Sequence, residues 1–141
     1  MTKEKYRRLK WTAVATLALM LAPVLLQAQD LRLVAQIPFA FHIGEQTLPA
    51  GEYSIARGRD PSVLSISDRK GHAMVTLVMQ AVRPVENESK LIFNKYGDEY
   101  FLSEVRWMAS PNAIQFRPSS VERELAKNAA PQQVATTRKR P

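Results

Sequence analysis

Residues 37–55 read IPFAFHIGEQTLPAGEYSI, and the predicted fold depends on this stretch. Phe39 and Phe41 alternate with smaller or polar residues, so an extended chain places both aromatic rings on one face. Further along, Pro49 and Gly51 suit the second and fourth positions of a β-turn. The alternation resumes after that turn. We therefore expect two strands that fold back on each other, with later strands packed on the face that carries the aromatic rings.

The composition indicates one globular domain without covalent cross-links. The chain has 141 residues, of which 45% are hydrophobic and 23% charged, and these values are ordinary for a folded protein. It contains no cysteine, which excludes a disulfide framework and a lipidated cysteine after an N-terminal leader. The fold must therefore be stabilised by its core alone, and a chain of this length can bury one.

The N-terminus has the features of a secretory signal peptide. Five basic residues precede an uncharged apolar run, Trp11–Leu26, and the small residue Ala28 follows just before a polar segment. This order is typical of a leader that is cleaved on export, so we predict a signal peptide over residues 1–28. The alternative is an uncleaved membrane anchor. The apolar run has 16 residues, fewer than the roughly 20 that span a bilayer, which favours cleavage.

The net charge comes mainly from the two ends of the chain. The whole chain carries a formal charge of +7, which falls to +3 without residues 1–28. The cluster Arg138–Arg140 accounts for this remainder, so residues 29–137 are close to neutral. Basic residues confined to a leader and a tail are not the footprint of a nucleic-acid-binding protein, and we expect no nucleic-acid partner.

The clearest hairpin of the chain lies in its second half. A Gly-Asp pair at 97–98 separates KLIFNKY, residues 90–96, from EYFLSEVRW, residues 99–107. Two aromatic and β-branched runs around such a pair are typical of a tight hairpin. Within the second run, simple alternation predicts that Leu102 and Val105 lie on opposite faces.

Other short runs between turn residues complete the predicted sheet. Val63–Asp68 alternates cleanly, as a half-buried antiparallel strand does. Ala73–Val82 is apolar on both faces, uncharged and rich in β-branched residues, so we predict a strand covered on both sides. In total we expect seven or eight short strands in a single β-rich domain over residues 29–129. The predicted fold class is all-β, an antiparallel sandwich or barrel.

The C-terminal part is predicted to hold one short helix and a disordered tail. Ser119 and Glu122 fit a capping box, in which the serine caps the helix and the glutamate reaches back. Val121 and Leu125 lie one turn apart, which suggests a helix of two or three turns, and a helix this short is unstable unless it docks. Residues 130–141 are polar and without periodicity, and we expect a disordered basic tail there.

No motif for catalysis, metal binding or cofactor binding occurs in the sequence, and we predict no such site residues. His42 is interpreted as a polar residue on a solvated face, since no second ligand stands at metal-binding spacing near it. Asp68 precedes His72 by four residues across a turn, so the two could meet. A hydrolase that uses this pair with a distant serine is the least favoured function.

Four aromatic residues could mark a binding face instead. Tyr96 and Tyr100 flank the predicted hairpin loop, and Tyr53 and Trp107 lie in predicted strands. Aromatic platforms bind sugars or partner proteins, but aromatic residues in strands are more often core or cross-strand pairs. We favour the core interpretation, because both hairpin strands carry apolar residues on each face.

Three stretches together resemble a family of small secreted bacterial β-rich proteins without an assigned function. They are IPFAFHIGEQTLPAGEYSI at 37–55, KLIFNKYGDEYFLSEV at 90–105 and VERELAK at 121–127. The shared pattern is a leader, an IPFxF…G…LPAGxY opening and a YGDxYFL hairpin. The resemblance implies export and a β-rich domain, and it implies no activity, because it brings no catalytic residues to carry over.

These observations together predict a non-enzymatic exported β-domain, in the periplasm or outside the cell, that acts as a structural or binding module. No cofactor is expected. The sequence identifies no partner, and a cell-envelope component or another protein are the two candidates. The alternative is an envelope protein anchored in the inner membrane by an uncleaved N-terminal segment or attracted to lipid by the basic tail.

Overall fold

The computed structural model describes residues 31–137, so the predicted signal peptide and the cluster Arg138–Arg140 lie outside the described residues. The predicted all-β class is confirmed: two sheets form a sandwich, with one short helix, α1 (Ser120–Ala126). The described residues form eleven strands rather than seven or eight. They are β1 (Arg32–Ile37), β2 (Phe41–Ile43), β3 (Gln46–Leu48), β4 (Gly51–Arg57), β5 (Val63–Asp68), β6 (Ala73–Leu77), β7 (Met79–Val82), β8 (Lys90–Tyr96), β9 (Glu99–Arg106), β10 (Asn112–Gln115) and β11 (Gln132–Thr137).

The two sheets are almost entirely antiparallel. The first has the strand order β1-β4-β5-β6, and the second has the order β11-β8-β9-β10-β7. The hairpin of β2 and β3 joins the second sheet through the one parallel pairing described, in which His42 lies beside Phe101 of β9. The edge strands β1 and β11 lie next to each other, so the two sheets approach along that side of the sandwich.

The predicted pairing within residues 37–55 is wrong, although the predicted inward face is right. Tyr53 of β4 pairs with Ala35 of β1, whereas β2 pairs with β3, so the strands on either side of the predicted turn lie in different sheets. Pro38 explains the difference, because it has no N–H to continue the β1 ladder and the chain then crosses to the second sheet. Phe41 is fully buried, as its place on the aromatic face predicts.

The core between the sheets follows from the alternation of the strands. Alternate side chains of β1, β4 and β5 point inward and are at most 4% exposed. Phe93 meets Phe41 edge to face with ring centroids 5.5 Å apart, and Phe41 meets Tyr53 of the other sheet in the same way at 5.2 Å. The largest fully buried side chains are Phe41, Phe93, Leu33, Ile37, Ile43, Ile55, Leu64, Leu91, Ile114 and Val105.

The predicted β8–β9 hairpin is confirmed, with one correction in its second strand. Gly97 has a φ of +60°, a left-handed value that glycine adopts without steric cost and that a two-residue hairpin loop needs. An irregularity in the β8–β9 register indicates a β-bulge, and both Leu102 and Val105 lie in the core. The predicted assignment of these two residues to opposite faces is therefore wrong, because a bulge inserts an extra residue that simple alternation ignores.

The run Ala73–Val82 serves both sheets, because β6 pairs with β5 and β7 pairs with β10. Val78, between the two strands, is 7% exposed and belongs to the core. The prediction that both faces of this run are covered is wrong, since Val75 and Leu77 are 67% and 74% exposed. Their face of the strand points away from the core, and no other element of the described chain packs over it.

The prediction of a disordered tail from residue 130 is wrong for Gln132–Thr137. These residues form β11 and pair with β8 from Lys90 to Lys95. The polar sequence has no hydrophobic periodicity, but an edge strand can be held by its backbone ladder alone.

Helix α1 begins at the predicted cap, but the side chain of Glu122 does not have the predicted role. The backbone N–H of Glu122 donates to the hydroxyl of Ser119 at 3.0 Å, which confirms the serine cap. The Glu122 carboxylate does not reach back but accepts the amide of Asn94 in β8 at 2.9 Å. Glu122 is therefore buried, while Val121 is 53% exposed.

Candidate functional site

Asp68 and His72 meet across the β5–β6 turn, as their spacing allows. Oδ1 of Asp68 accepts the backbone N–H groups of Lys70 and His72, each at 2.9 Å, and Oδ2 lies 2.9 Å from Nδ1 of His72. The hydrogen bond to the His72 ring is the main reason that the pKa of Asp68 lies below its ordinary value. Asp68 thus fixes the turn and orients a ring that is 79% exposed.

An open cavity of about 190 Å³ lies beside this pair. Its walls include the apolar side chains of Leu48, Ile66 and Met74 and the polar groups of Tyr53, Asp68 and His72. The Tyr53 hydroxyl donates to the backbone oxygen of Pro49 at 2.7 Å, and burial and the charge of Asp68 raise its pKa. The cavity is smaller than the roughly 300–1,000 Å³ of typical ligand sites.

The hydrogen bonds of this pair are those of the β5–β6 turn. Among residues 31–137, the ring of His72 makes its hydrogen bond to Asp68 and none to a serine or threonine hydroxyl. The geometry that the residues do have is that of a turn held by an acidic side chain.

His42 has partners that sequence reasoning did not find. Its ring shares a hydrogen bond with Thr47 at 2.9 Å, contacts the Glu99 carboxylate through Nε2 and stacks on Phe101 with centroids 4.6 Å apart. Its side chain is 22% exposed rather than solvated. Glu99 is 57 positions away, so no local pattern could reveal the contact. The cluster fastens the β2–β3 hairpin to the start of β9.

A charged cluster on the outer face of the second sheet joins three basic and two acidic side chains. The Glu104 carboxylate lies between Arg83 and Arg106, and Glu86 lies between Arg106 and Lys90. Contacts with Lys90 and Arg106 hold the pKa of Glu86 below its ordinary value. Positive and negative groups alternate along the cluster, so its charges are engaged in ion pairs with one another, which points to a structural role.

The aromatic residues belong to the core rather than to a binding platform. Tyr53, Tyr96 and Trp107 are between 4% and 9% exposed. Tyr100 is less buried, but its ring stacks on that of Phe39 with centroids 3.8 Å apart. The core interpretation of these four residues is therefore confirmed.

Four apolar side chains along β6 and β7 are exposed, namely Val75, Leu77, Met79 and Val82, and we call this set the β6–β7 surface. These side chains are 67%, 74%, 41% and 77% exposed. Val75 and Leu77 share one face of β6, because they stand two positions apart in a strand. No charged residue occurs between His72 and Arg83 to break the surface. Soluble monomers rarely expose large contiguous apolar patches, and such patches mark interaction sites. The sequence showed that the run was apolar on both faces but not that one face is uncovered.

Residues 31–137 contain no group of three or more histidine, cysteine or acidic side chains placed to hold a metal ion. Within the same range, no helix has the length and apolar character needed to cross a membrane. Searches of protein-family models, curated proteins and solved structures found no match to this chain. The resemblance to a family of secreted β-rich proteins stays a prediction.

Proposed function

We propose that this chain is an exported, non-enzymatic β-domain that acts as a binding module of the cell envelope or exterior. The observation that carries the proposal is the β6–β7 surface, in which Val75, Leu77 and Val82 are each at least two-thirds exposed. Exposure of apolar side chains to water costs free energy, and a partner that covers them lowers that cost. A surface of this kind therefore favours binding over a purely structural role.

The state of the histidines supports a non-catalytic role. Asp68 uses both carboxylate oxygens to fix its own turn, and His42 lies between Thr47 and Glu99 in a contact that joins two hairpins. Each ring is thus explained by the fold. A hydrolase based on His72 would lose its activity on a panel of ester and amide substrates in His72→Ala, while His42→Ala would serve as the matched control.

Export rests on the N-terminal sequence. Five basic residues, the apolar run Trp11–Leu26 and Ala28 form the predicted leader. The net charge of residues 29–137 is close to zero, which gives no support for a nucleic-acid partner. A secreted module without cysteine is compatible with an oxidising compartment, since it holds no thiol to be oxidised.

The test of export is the location and the N-terminal residue of the mature protein. The full chain is expressed in a bacterium, the cells are fractionated, and the product is analysed by mass spectrometry. A product that starts near Gln29 in the periplasm or medium is the expected result. An intact Met1 in the membrane fraction would support the anchored alternative, and an intact chain in the cytosol would contradict export in both forms.

A further inference from the structure

We propose that the outer edge of β6 pairs with the same strand of a second copy of this chain, to form an antiparallel β-sheet across a two-fold axis near Val75. The inference rests on the proposed binding function and names the partner of the β6–β7 surface. Three features of the described chain carry it: the direction of the backbone groups in β6, the pattern of its side chains and the charge around it.

The backbone of β6 offers a free edge. The N–H of Val78 donates to the carbonyl oxygen of Ser62 at 2.9 Å, so even-numbered residues of β6 direct their hydrogen-bonding groups toward β5. Successive residues of a strand point these groups to opposite sides, and Ala73, Val75 and Leu77 therefore point theirs away from β5. No strand of the described chain pairs on that side of β6. Unpaired strand edges are templates for pairing with another chain.

The side-chain pattern of β6 is complementary to itself. In an antiparallel pair centred on Val75, each Ala73 lies opposite Leu77 of the second copy, and the two Val75 residues lie opposite each other. Small side chains then face large ones, and all three pairs are of the type that exchanges two backbone hydrogen bonds. The exposed side chains of Val75 and Leu77 from both copies form one continuous apolar face, which shields part of each from water.

The charge distribution favours a second copy over a charged partner. Residues 29–137 carry twelve basic and twelve acidic side chains, so this part of the chain adds no net repulsion between two copies. The run from Ala73 to Val82 has no charge of its own, whereas natural sheets that resist edge pairing place lysine or inward-pointing charges there. An acidic or basic peptide would find no complementary group along this edge.

A cysteine cross-link tests the register directly, because the natural chain has no cysteine. A hydrogen-bonded antiparallel pair holds opposite Cα atoms roughly 5.5 Å apart, within the range of about 4.4–6.8 Å that a disulfide spans. Val75→Cys in the mature protein should therefore form a covalent dimer under mild oxidation. The matched control is Val121→Cys, because Val121 is also an exposed valine, at 53%, but lies on α1. Equal cross-linking of both variants would contradict the proposal.

Two proline variants separate edge pairing from loose apolar association. Val75→Pro removes an N–H that points away from β5, so the fold should survive and the dimer should be lost. Thr76→Pro removes an N–H that points toward β5 and should destabilise the fold itself. Molar mass by light scattering or sedimentation, with circular dichroism as the folding control, reads out both. A folded Val75→Pro protein that remains a dimer would overturn the proposal.

The outcomes for pairing and for export are independent. The unmodified mature protein should show twice the monomer mass at high concentration and the monomer mass on dilution. A monomer at every concentration overturns self-pairing. This holds even if a peptide from residues 1–30, or an unrelated extended peptide, is then found to bind the edge of β6. A periplasmic monomer would contradict the dimer alone, whereas a cytosolic, uncleaved dimer would contradict export alone.

Discussion

The β8–β9 hairpin and the run Ala73–Val82, which holds β6 and β7, have similar apolar sequences, but the folded protein covers their faces differently. Both are apolar on both faces. In the hairpin, one face lies in the core, and the other is covered where His42 stacks on Phe101 and where α1 bonds to Asn94. In β6, Met74 packs against the core, whereas Val75 and Leu77 on the other face are 67% and 74% exposed.

The difference shows that a run of apolar residues does not by itself specify what covers it. The hairpin receives its second cover from distant parts of the chain, the β2–β3 hairpin and α1. Val75 and Leu77 of β6 receive no such cover from the described residues. A face that residues 31–137 leave uncovered is available to a partner, which connects the packing of this strand to its proposed function.

The largest expected effect is the loss of stability when a core side chain of the β8–β9 hairpin is removed, compared with an exposed side chain of β6. Phe93→Ala removes a fully buried ring that contacts Phe39 and Phe41, and it should lower the free energy of unfolding by about 3–5 kcal/mol. Leu77→Ala removes a side chain that is 74% exposed and should change it by less than about 0.5 kcal/mol in dilute solution. Urea unfolding measures both. Comparable losses would mean that Leu77 is covered within one chain.

A second variant tests whether the charged cluster on the outer face of the second sheet stabilises the fold. The side chain of Glu104 is 7% exposed and binds Arg83 and Arg106. Glu104→Gln keeps the shape but loses the charge-assisted bonds, and it should cost about 1–3 kcal/mol in urea unfolding. Glu124→Gln is the control, because its pair with Lys127 is exposed on both sides and should contribute nothing measurable. Equal effects of the two variants would refute the structural role of the cluster.

The sequence predicted those features that depend on residues close together in the chain, and it missed those that depend on distant residues. The β8–β9 loop, the inward face of Phe41 and the Ser119 cap were all visible, because each depends on residues close together in the chain. The β1–β4 pairing, the bulge and β11 were not, because they depend on partners elsewhere or on backbone groups alone. The free edge of β6 was hidden for the same reason: an uncovered face is a property of the whole fold.

The smallest expected effect concerns the docking of α1 and depends on pH. The Glu45 carboxylate accepts the N–H of Ser120 at 2.9 Å, and this bond is the main reason that the pKa of Glu45 lies below its ordinary value of 4.5. A carboxyl group with a lowered pKa stabilises the fold above the ordinary value and loses that effect as pH falls through the lowered one. Glu45→Gln should therefore melt at a lower temperature than the parent protein at neutral pH.

The pH profile distinguishes this contact from a general loss of packing. The difference in melting temperature between Glu45→Gln and the parent should shrink steadily as the pH is lowered below 4.5. Glu124→Gln provides the control for a surface charge on α1 itself. A difference that stays constant at all pH values would show that the charge of Glu45 does not hold the helix.

Amide hydrogen exchange, measured residue by residue by NMR, tests the free edge of β6 most directly. In dilute solution, Met74 and Thr76 should be protected by their bonds to β5, while Val75 and Leu77 should exchange rapidly. As the protein concentration rises, Val75 and Leu77 should gain protection, because a second copy pairs with them. Protection of Val75 and Leu77 that is already complete in the dilute monomer, or that never appears at high concentration, would contradict the account.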